Sequence, residues 1–165
     1  MQGLILQVNI SDGGLPKLPV PEGRISLLGL EGDRQAHPAI HGGPRKAVLL
    51  ISIEVIENLA ARGYPLFSGA LGENLTLRGI DVRQIRIGDR FRAGGALLEI
   101  TQPRGPCAAL DVYGPSIKSE IYDAKVKALD HASPRWGMSG FYASVVEPGI
   151  VRPGDAIAAI PAPAR

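Results

Sequence analysis

Cys107 is the only cysteine in this 165-residue sequence, and it follows Gln102-Pro103-Arg104-Gly105-Pro106. The apolar run Ala96-Leu97-Leu98-Glu99-Ile100-Thr101 leads into it and reads as a strand. After the cysteine the pattern turns helical. Pro106 suits the first positions of a helix, where its missing N–H has no partner to lose. A thiol there faces unpaired backbone N–H groups and a positive helix end, with Arg104 three residues away; all of these favour thiolate. A thiolate can act as a nucleophile, a sulfur carrier or a soft metal ligand. The bland alternative is a small buried hydrophobe. Core cysteines, however, sit inside apolar runs, and this one sits between proline turns beside an arginine.

A second chemically rich stretch is Gly32-Asp33-Arg34-Gln35-Ala36-His37, followed by His41-Gly42-Gly43-Pro44-Arg45-Lys46. His41-Gly42-Gly43 lets the backbone approach a ligand, because glycine has no Cβ. Arg45 and Lys46 can pair with a phosphate, and Arg34 can do so from the other arm. In Gly72-Glu73-Asn74-Leu75, Glu73 could orient an arginine, and the Asn74 amide suits the edge of a heterocycle. Trp136-Gly137-Met138-Ser139-Gly140-Phe141-Tyr142, preceded by His131 and Arg135, could line a pocket or form a core corner. Each stretch alone also fits an ordinary polar turn.

The elements that must position these residues are short. Leu4 to Ile10 reads as a strand, and Asp12-Gly13-Gly14 as a turn. Arg24 to Leu30 is the next extended run, and Ala47 to Ile51 is a continuous apolar strand buried on both faces. Ser52 can cap a helix from Ile53 to Arg62 that ends at Gly63, with Val55, Ile56, Leu59 and Ala60 on one face. Strands are expected at Leu75–Leu77, Arg86–Ile87, Arg90–Arg92, Ala96–Thr101, Phe141–Val146 and Ala156–Ile160, and a helical stretch at Ser116–Leu129. Arg86-Ile87-Gly88-Asp89 and Arg152-Pro153-Gly154-Asp155 read as equivalent tight turns in one sheet. Many short strands with few helices predict a mainly β fold, a closed or nearly closed β-barrel.

The length predicts a single domain over residues 1–160 with a disordered tail at 161–165. A formal net charge of +2 argues against binding a nucleic-acid polymer. One cysteine excludes an internal disulfide, and with three scattered histidines it makes no tetrahedral zinc site. The N-terminus lacks the basic and apolar regions of a signal peptide, and no apolar run approaches a membrane span, so a cytoplasmic protein without membrane contact is expected.

Taken in order, the Gly32–His37, His41–Gly43, Gly72–Leu75, Ile87–Asp89, Gln102–Cys107 and Gly140–Tyr142 motifs resemble those of the MOSC domain family, named for the C-terminal domain of molybdenum cofactor sulfurase. The resemblance spans about residues 3 to 160 and is closest to the small stand-alone bacterial type. It implies a barrel-like β fold, a cysteine that carries sulfur or ligates molybdenum at Cys107, and the molybdenum cofactor. It further implies reduction of N-hydroxylated compounds such as hydroxylaminopurines or amidoximes. On this reading Cys107 is catalytic and binds the metal. Arg34, Arg45, Lys46 and Arg104 hold the pterin phosphate and shape the pocket, and His41 and Asn74 contact pterin or substrate. The sequence has no flavin, haem or iron–sulfur signature, so an external redox partner would supply electrons. The alternative is a sulfur carrier with a persulfide on Cys107, charged by a cysteine desulfurase. A thiol hydrolase pairing Cys107 with His41 or His131 is a third reading. Pyridoxal phosphate is not expected: Lys46 could form a Schiff base, but nothing resembles the large domain that chemistry uses.

Overall fold

The computed structural model describes residues 1–34 and 42–161. Its strands are β1 (Gln2–Ile10), β2 (Leu18–Val20), β3 (Gly23–Ser26), β4 (Gly29–Leu30), β5 (Val48–Ser52), β6 (Leu75–Arg78), β7 (Arg90–Ala93), β8 (Ala96–Pro103), β9 (Phe141–Glu147), β10 (Gly149–Val151) and β11 (Ala156–Ile160). They run in the order β11-β7-β8-β9-β5-β6-β1, and β11 pairs back onto β1, which closes the predicted barrel. β2 extends β1, and β10-β3-β4 form a small separate sheet. β5 and β6 are parallel, because the helix α1 (Ile53–Ala61) carries the chain back between them.

The alternation of side chains along a strand explains where the site can form. In β5, Val48 and Leu50 join the barrel interior with Ile5, Leu75 and Phe141, whereas Leu49 and Ile51 join an outer cluster with Leu59, Leu71, Leu110 and Ile117. β9 divides the same way: Phe141 and Ala143 point inward, and Tyr142 joins the outer cluster. The wall is therefore apolar on both faces, and helices cover its outside.

Ser52 caps α1, its hydroxyl accepting from the Glu54 N–H at 3.2 Å. The buried stripe of α1 is Ile53, Ile56 and Leu59; Ala60, expected on it, is exposed. Several expected elements are shorter or broken. Arg24 to Leu30 bends into the β3–β4 hairpin, and Arg86-Ile87 is turn, not strand. Ser116–Leu129 divides into α2 (Ile117–Ile121) and α3 (Ala124–Lys127), because Tyr122 is extended and Asp123 starts a new helix by accepting from the Val126 N–H. The tail beyond Pro161 lies outside the described residues.

The two Gly-Asp turns are equivalent. Asp89 Oδ2 accepts from the Arg86 N–H at 2.7 Å, and Asp155 Oδ2 from the Arg152 N–H at 2.8 Å. Gly88 and Gly154 take φ of 91° and 93°, which glycine adopts without strain. Each glycine N–H then donates to a neighbouring strand, at Ile100 and Ile5.

Candidate functional site

β8 delivers Cys107. Pro103 and Gln102 at its end pair with Phe141 and Tyr142 of β9, and the chain then leaves the sheet. Two bonds fix the departure: the Arg104 N–H donates to Gly140 C=O at 2.9 Å, and the Ser139 hydroxyl donates to Arg104 C=O at 2.6 Å. Cys107 is half-buried and precedes a six-residue 3-10 helix, Ala108–Tyr113, that buries Leu110. So short a helix has little dipole, and the electrostatic part of the sequence argument shifts from helix to neighbouring side chains.

Cys107 opens on a cavity of about 100 Å³ on the outer face of the wall, between β5–β9 and the covering loops. Leu15, Leu49, Leu71 and Leu110 supply its apolar lining; Arg34, Lys46, Asn74 and Arg104 also line it. Five of the residues singled out in the sequence thus meet in one place. Arg45 does not line it. Pro44–Lys46 is a single 3-10 turn, so successive side chains point about 120° apart. Lys46 takes the cavity side and Arg45 is exposed, its carbonyl accepting from the Thr101 hydroxyl at 2.5 Å. His41 lies outside the described residues. His131 packs edge-on against Trp136, with ring centres 6.1 Å apart, and is not part of the cavity lining. Of the two histidines that could serve a thiol hydrolase, His131 is therefore not beside Cys107 in the cavity lining.

Arg104 is 6 % exposed. It donates through Nη2 to Leu71 C=O, and the Tyr142 ring lines the same cavity. Its Nη1 has no hydrogen-bond partner among the described residues. Burial pushes its pKa below the usual value, opposed by Tyr142, Cys107 and Glu73. Glu73 is fully buried. Its Oε1 accepts from the Gly69 N–H at 2.5 Å and the Thr76 hydroxyl at 2.9 Å, and Oε2 has no partner among the described residues. Burial pushes Glu73 above the ordinary carboxylate range, opposed by these hydrogen bonds and by the charge of Arg104. The expectation that Glu73 orients an arginine takes this form: a buried counter-charge near Arg104, without a direct salt bridge.

Asn74 has another use than the one read from its sequence. Its Oδ1 accepts from the Leu49 N–H at 3.0 Å, and its Nδ2 donates to Asn9 C=O and to Asp33 Oδ2. Both amide hydrogens are spent inside the protein, so it cannot also donate to a heterocycle edge. Arg34, with a side chain 79 % exposed, stands at the mouth, 3.5 Å from Asp12 Oδ1.

Sequence reasoning missed Lys17. It lines the cavity and is 7 % exposed. Its ammonium grips the Asp33 carboxylate, which also accepts from the Ser11 N–H and from Asn74. The only local signal was a lysine between two prolines, Pro16-Lys17-Leu18-Pro19. Tyr142 was noticed only within its motif. It is 5 % exposed, and Lys46 Nζ sits 5.5 Å from its ring centre. No helix among the described residues is long and apolar enough to cross a membrane.

Among the described residues no three His, Cys, Asp or Glu side chains converge on a metal position. A metal here would bring most of its own ligands and take one thiolate. A cavity this small suits a metal centre and a small functional group, and a larger cofactor body would extend across the mouth, toward Arg34 and Lys46.

A sequence model of the MOSC domain matches residues 37–158. The uncharacterized protein YflK of Bacillus subtilis (strain 168) is 38 % identical over 127 residues, covering 75 % of this chain and 52 % of that protein. A protein of Gibberella moniliformis named "Reductase" is 29 % identical over 146 residues, 84 % of this chain and 24 % of that protein. The crystal structure of YiiM from Geobacillus stearothermophilus superposes with a TM-score of 0.73 at 26 % identity, covering 96 % of this chain and 75 % of that one. The chain spans about half the length of the curated bacterial relatives it matches. With a family match over most of its length and a solved relative of the same barrel fold, the chain belongs to the MOSC domain family.

Proposed function

We propose that the Cys107 cavity is a molybdenum-cofactor site at which N-hydroxylated compounds are reduced with electrons from a separate redox protein. The observation that carries the reading is the meeting of one half-buried thiol with four cationic side chains, Lys17, Arg34, Lys46 and Arg104, around one small cavity. A soft thiolate suits molybdenum, and ammonium and guanidinium groups suit a pterin phosphate. The buried Arg104, whose Nη1 has no partner among the described residues, fits an anionic ligand better than an apolar one. The MOSC family is associated with the molybdenum cofactor, and a relative of this chain is named a reductase.

When bound, the cofactor would supply two-electron exchange beside the substrate. The chain supplies the rest. Cys107 would hold the metal, and Lys46 and Arg34 at the mouth would hold the phosphate. Arg104 would keep positive charge against the thiolate. The leucine walls would exclude water from the reacting group. For an amidoxime the overall change is RC(NH2)=NOH + 2 e⁻ + 2 H⁺ → RC(NH2)=NH + H2O.

The test is molybdenum and pterin analysis of protein purified from a cofactor-competent host. Bound molybdenum that disappears in Cys107→Ser, together with N–O reduction by reduced methyl viologen, supports the reading. Protein free of metal and pterin, with Cys107→Ala as active as wild type, sinks it. A persulfide on Cys107 after incubation with a cysteine desulfurase, in protein that takes up no molybdenum, favours the sulfur-carrier reading instead.

A further inference from the structure

The cavity is lined by four cations, Lys17, Arg34, Lys46 and Arg104, and among the described residues that line it there is no aspartate or glutamate. Two of the four have carboxylate partners. Lys17 is held by both oxygens of Asp33, and Arg34 at the mouth stands 3.5 Å from Asp12. Lys46 lies over the Tyr142 ring. Arg104 differs from all three. It is 6 % exposed, and its Nη1 is buried with no hydrogen-bond partner among the described residues. A buried guanidinium with an unused donor favours an anion beside it.

One carboxylate stands behind the lining. Gly72 and Asn74 line the cavity, and Glu73 between them is fully buried in the interior. Arg104 Nη2 donates to Leu71 C=O in the same segment, which brings the guanidinium to this carboxylate's side of the cavity. Glu73 Oε1 is spent on the Gly69 N–H and the Thr76 hydroxyl, and Oε2 has no partner among the described residues. An ionised Glu73 balances the Arg104 charge from within the fold. An anion in the cavity balances it from the other side. Both together set two negative charges against one buried guanidinium, and the excess falls on a carboxylate oxygen that no hydrogen bond steadies. Taking up a proton costs such a group less than keeping its charge.

We propose that the cavity, in protein without cofactor, binds a small oxyanion against the Arg104 guanidinium, and that Glu73 takes up one proton as the anion enters. The volume of about 100 Å³ admits a small ion. This goes beyond the cofactor reading and stands without it. The other titratable and charged groups facing the pair are Tyr113 of the 3-10 helix, whose hydroxyl donates to Ala70 C=O at 2.6 Å, Tyr142 of β9, Cys107, and the Lys17–Asp33 pair. Burial raises the pKa of both phenols, so they stay neutral where a carboxylate titrates. A serine variant removes the thiol from the account.

The experiment is calorimetric titration with sodium sulfate across the acid-to-neutral range, on protein expressed in a host that makes no pterin cofactor. Buffers of different ionisation enthalpy count the protons. The expected result is sulfate binding with one proton taken up at the neutral end, and an affinity that weakens by up to about tenfold per pH unit above the folded Glu73 pKa. Cys107→Ser should keep both features. Glu73→Gln should bind sulfate with no proton uptake and no such pH dependence. Arg104→Met should bind at least about tenfold more weakly; should that variant not fold, the proton count in Glu73→Gln decides. Wild-type protein that does not bind sulfate overturns the inference. So does affinity unchanged in a folded Arg104→Met, or proton uptake that persists in Glu73→Gln. Proton-coupled sulfate binding in a protein that takes up no molybdenum from a cofactor-competent host defeats the reductase reading and leaves this inference standing. Protein that reduces N–O bonds when loaded but binds no sulfate when empty defeats this inference alone.

Discussion

Lys17 holds both oxygens of Asp33 inside the protein, with Nζ 2.7 Å from Oδ1 and 2.6 Å from Oδ2. The two side chains are 9 % and 6 % exposed. Asp33 is the hub. It also takes the Ser11 N–H and the Asn74 amide, so one carboxylate joins the end of β1, the segment before β2 and the start of β6. Taking one partner away from such a pair leaves a buried charge. Lys17→Met or Asp33→Asn should therefore lower the free energy of unfolding by about 3–5 kcal/mol, and the double variant Lys17→Met/Asp33→Leu should recover much of the loss. Urea denaturation of the three proteins checks this; single and double variants of equal stability would contradict it.

Asn74 is the companion case. Its side chain accepts from the Leu49 N–H and donates to Asn9 C=O and Asp33 Oδ2, and it is 3 % exposed. Asn74→Leu leaves the Leu49 N–H without that acceptor and Asp33 without that donor. The expected cost is about 1–3 kcal/mol in stability. A melting-temperature shift is the measurement, and an unchanged melting temperature would restore Asn74 as a ligand contact.

Glu73 gives stability a pH dependence of its own. Burial raises its pKa in the folded protein above the unfolded value. The folded state therefore holds the proton more tightly than the unfolded one. The associated stabilisation is complete below the unfolded carboxylate pKa, and it is lost as pH rises through the higher folded value. Glu73→Gln should remove that decline. Unfolding free energies measured across the acid-to-neutral range for both proteins test the sign; a decline that persists in the variant places its origin elsewhere.

Gly140 sits where the Cys107 loop is pinned to the barrel. Its φ is +86°, and an added Cβ would lie 2.6 Å from Leu50 C=O and 2.5 Å from Ile51 Cγ1. Gly140 C=O also receives the Arg104 N–H. Gly140→Ala should therefore cost more than about 2 kcal/mol, through left-handed backbone strain plus overpacking, and should loosen Arg104 along with it. Thermal unfolding reads the first effect. Faster proteolysis within the Arg104–Tyr113 segment reads the second.

The barrel was legible from the sequence because its strands are short apolar runs punctuated by glycine and proline, and such punctuation is local chemistry. The Ser52 cap and the two Gly-Asp turns were legible for the same reason: each is closed by a hydrogen bond spanning two or three residues. Motif order brought Cys107, Arg104, Lys46, Arg34 and Asn74 together on paper before the cavity did so in space. The sequence could not decide which side of a wall each residue serves. β5 is buried throughout, so alternating polarity carries no signal, and only the closed barrel sends Val48 and Leu50 inward and Leu49 outward. The same closure put Tyr142 beside the thiol. Lys17 and Asn74 were settled by partners far away in the chain: Asp33 lies 16 residues from one and 41 from the other. Short-range pattern singles out a candidate thiol and its basic loops. Burial, together with the need to satisfy every buried charge, decides which of those groups are left to meet a ligand and which are spent holding the fold.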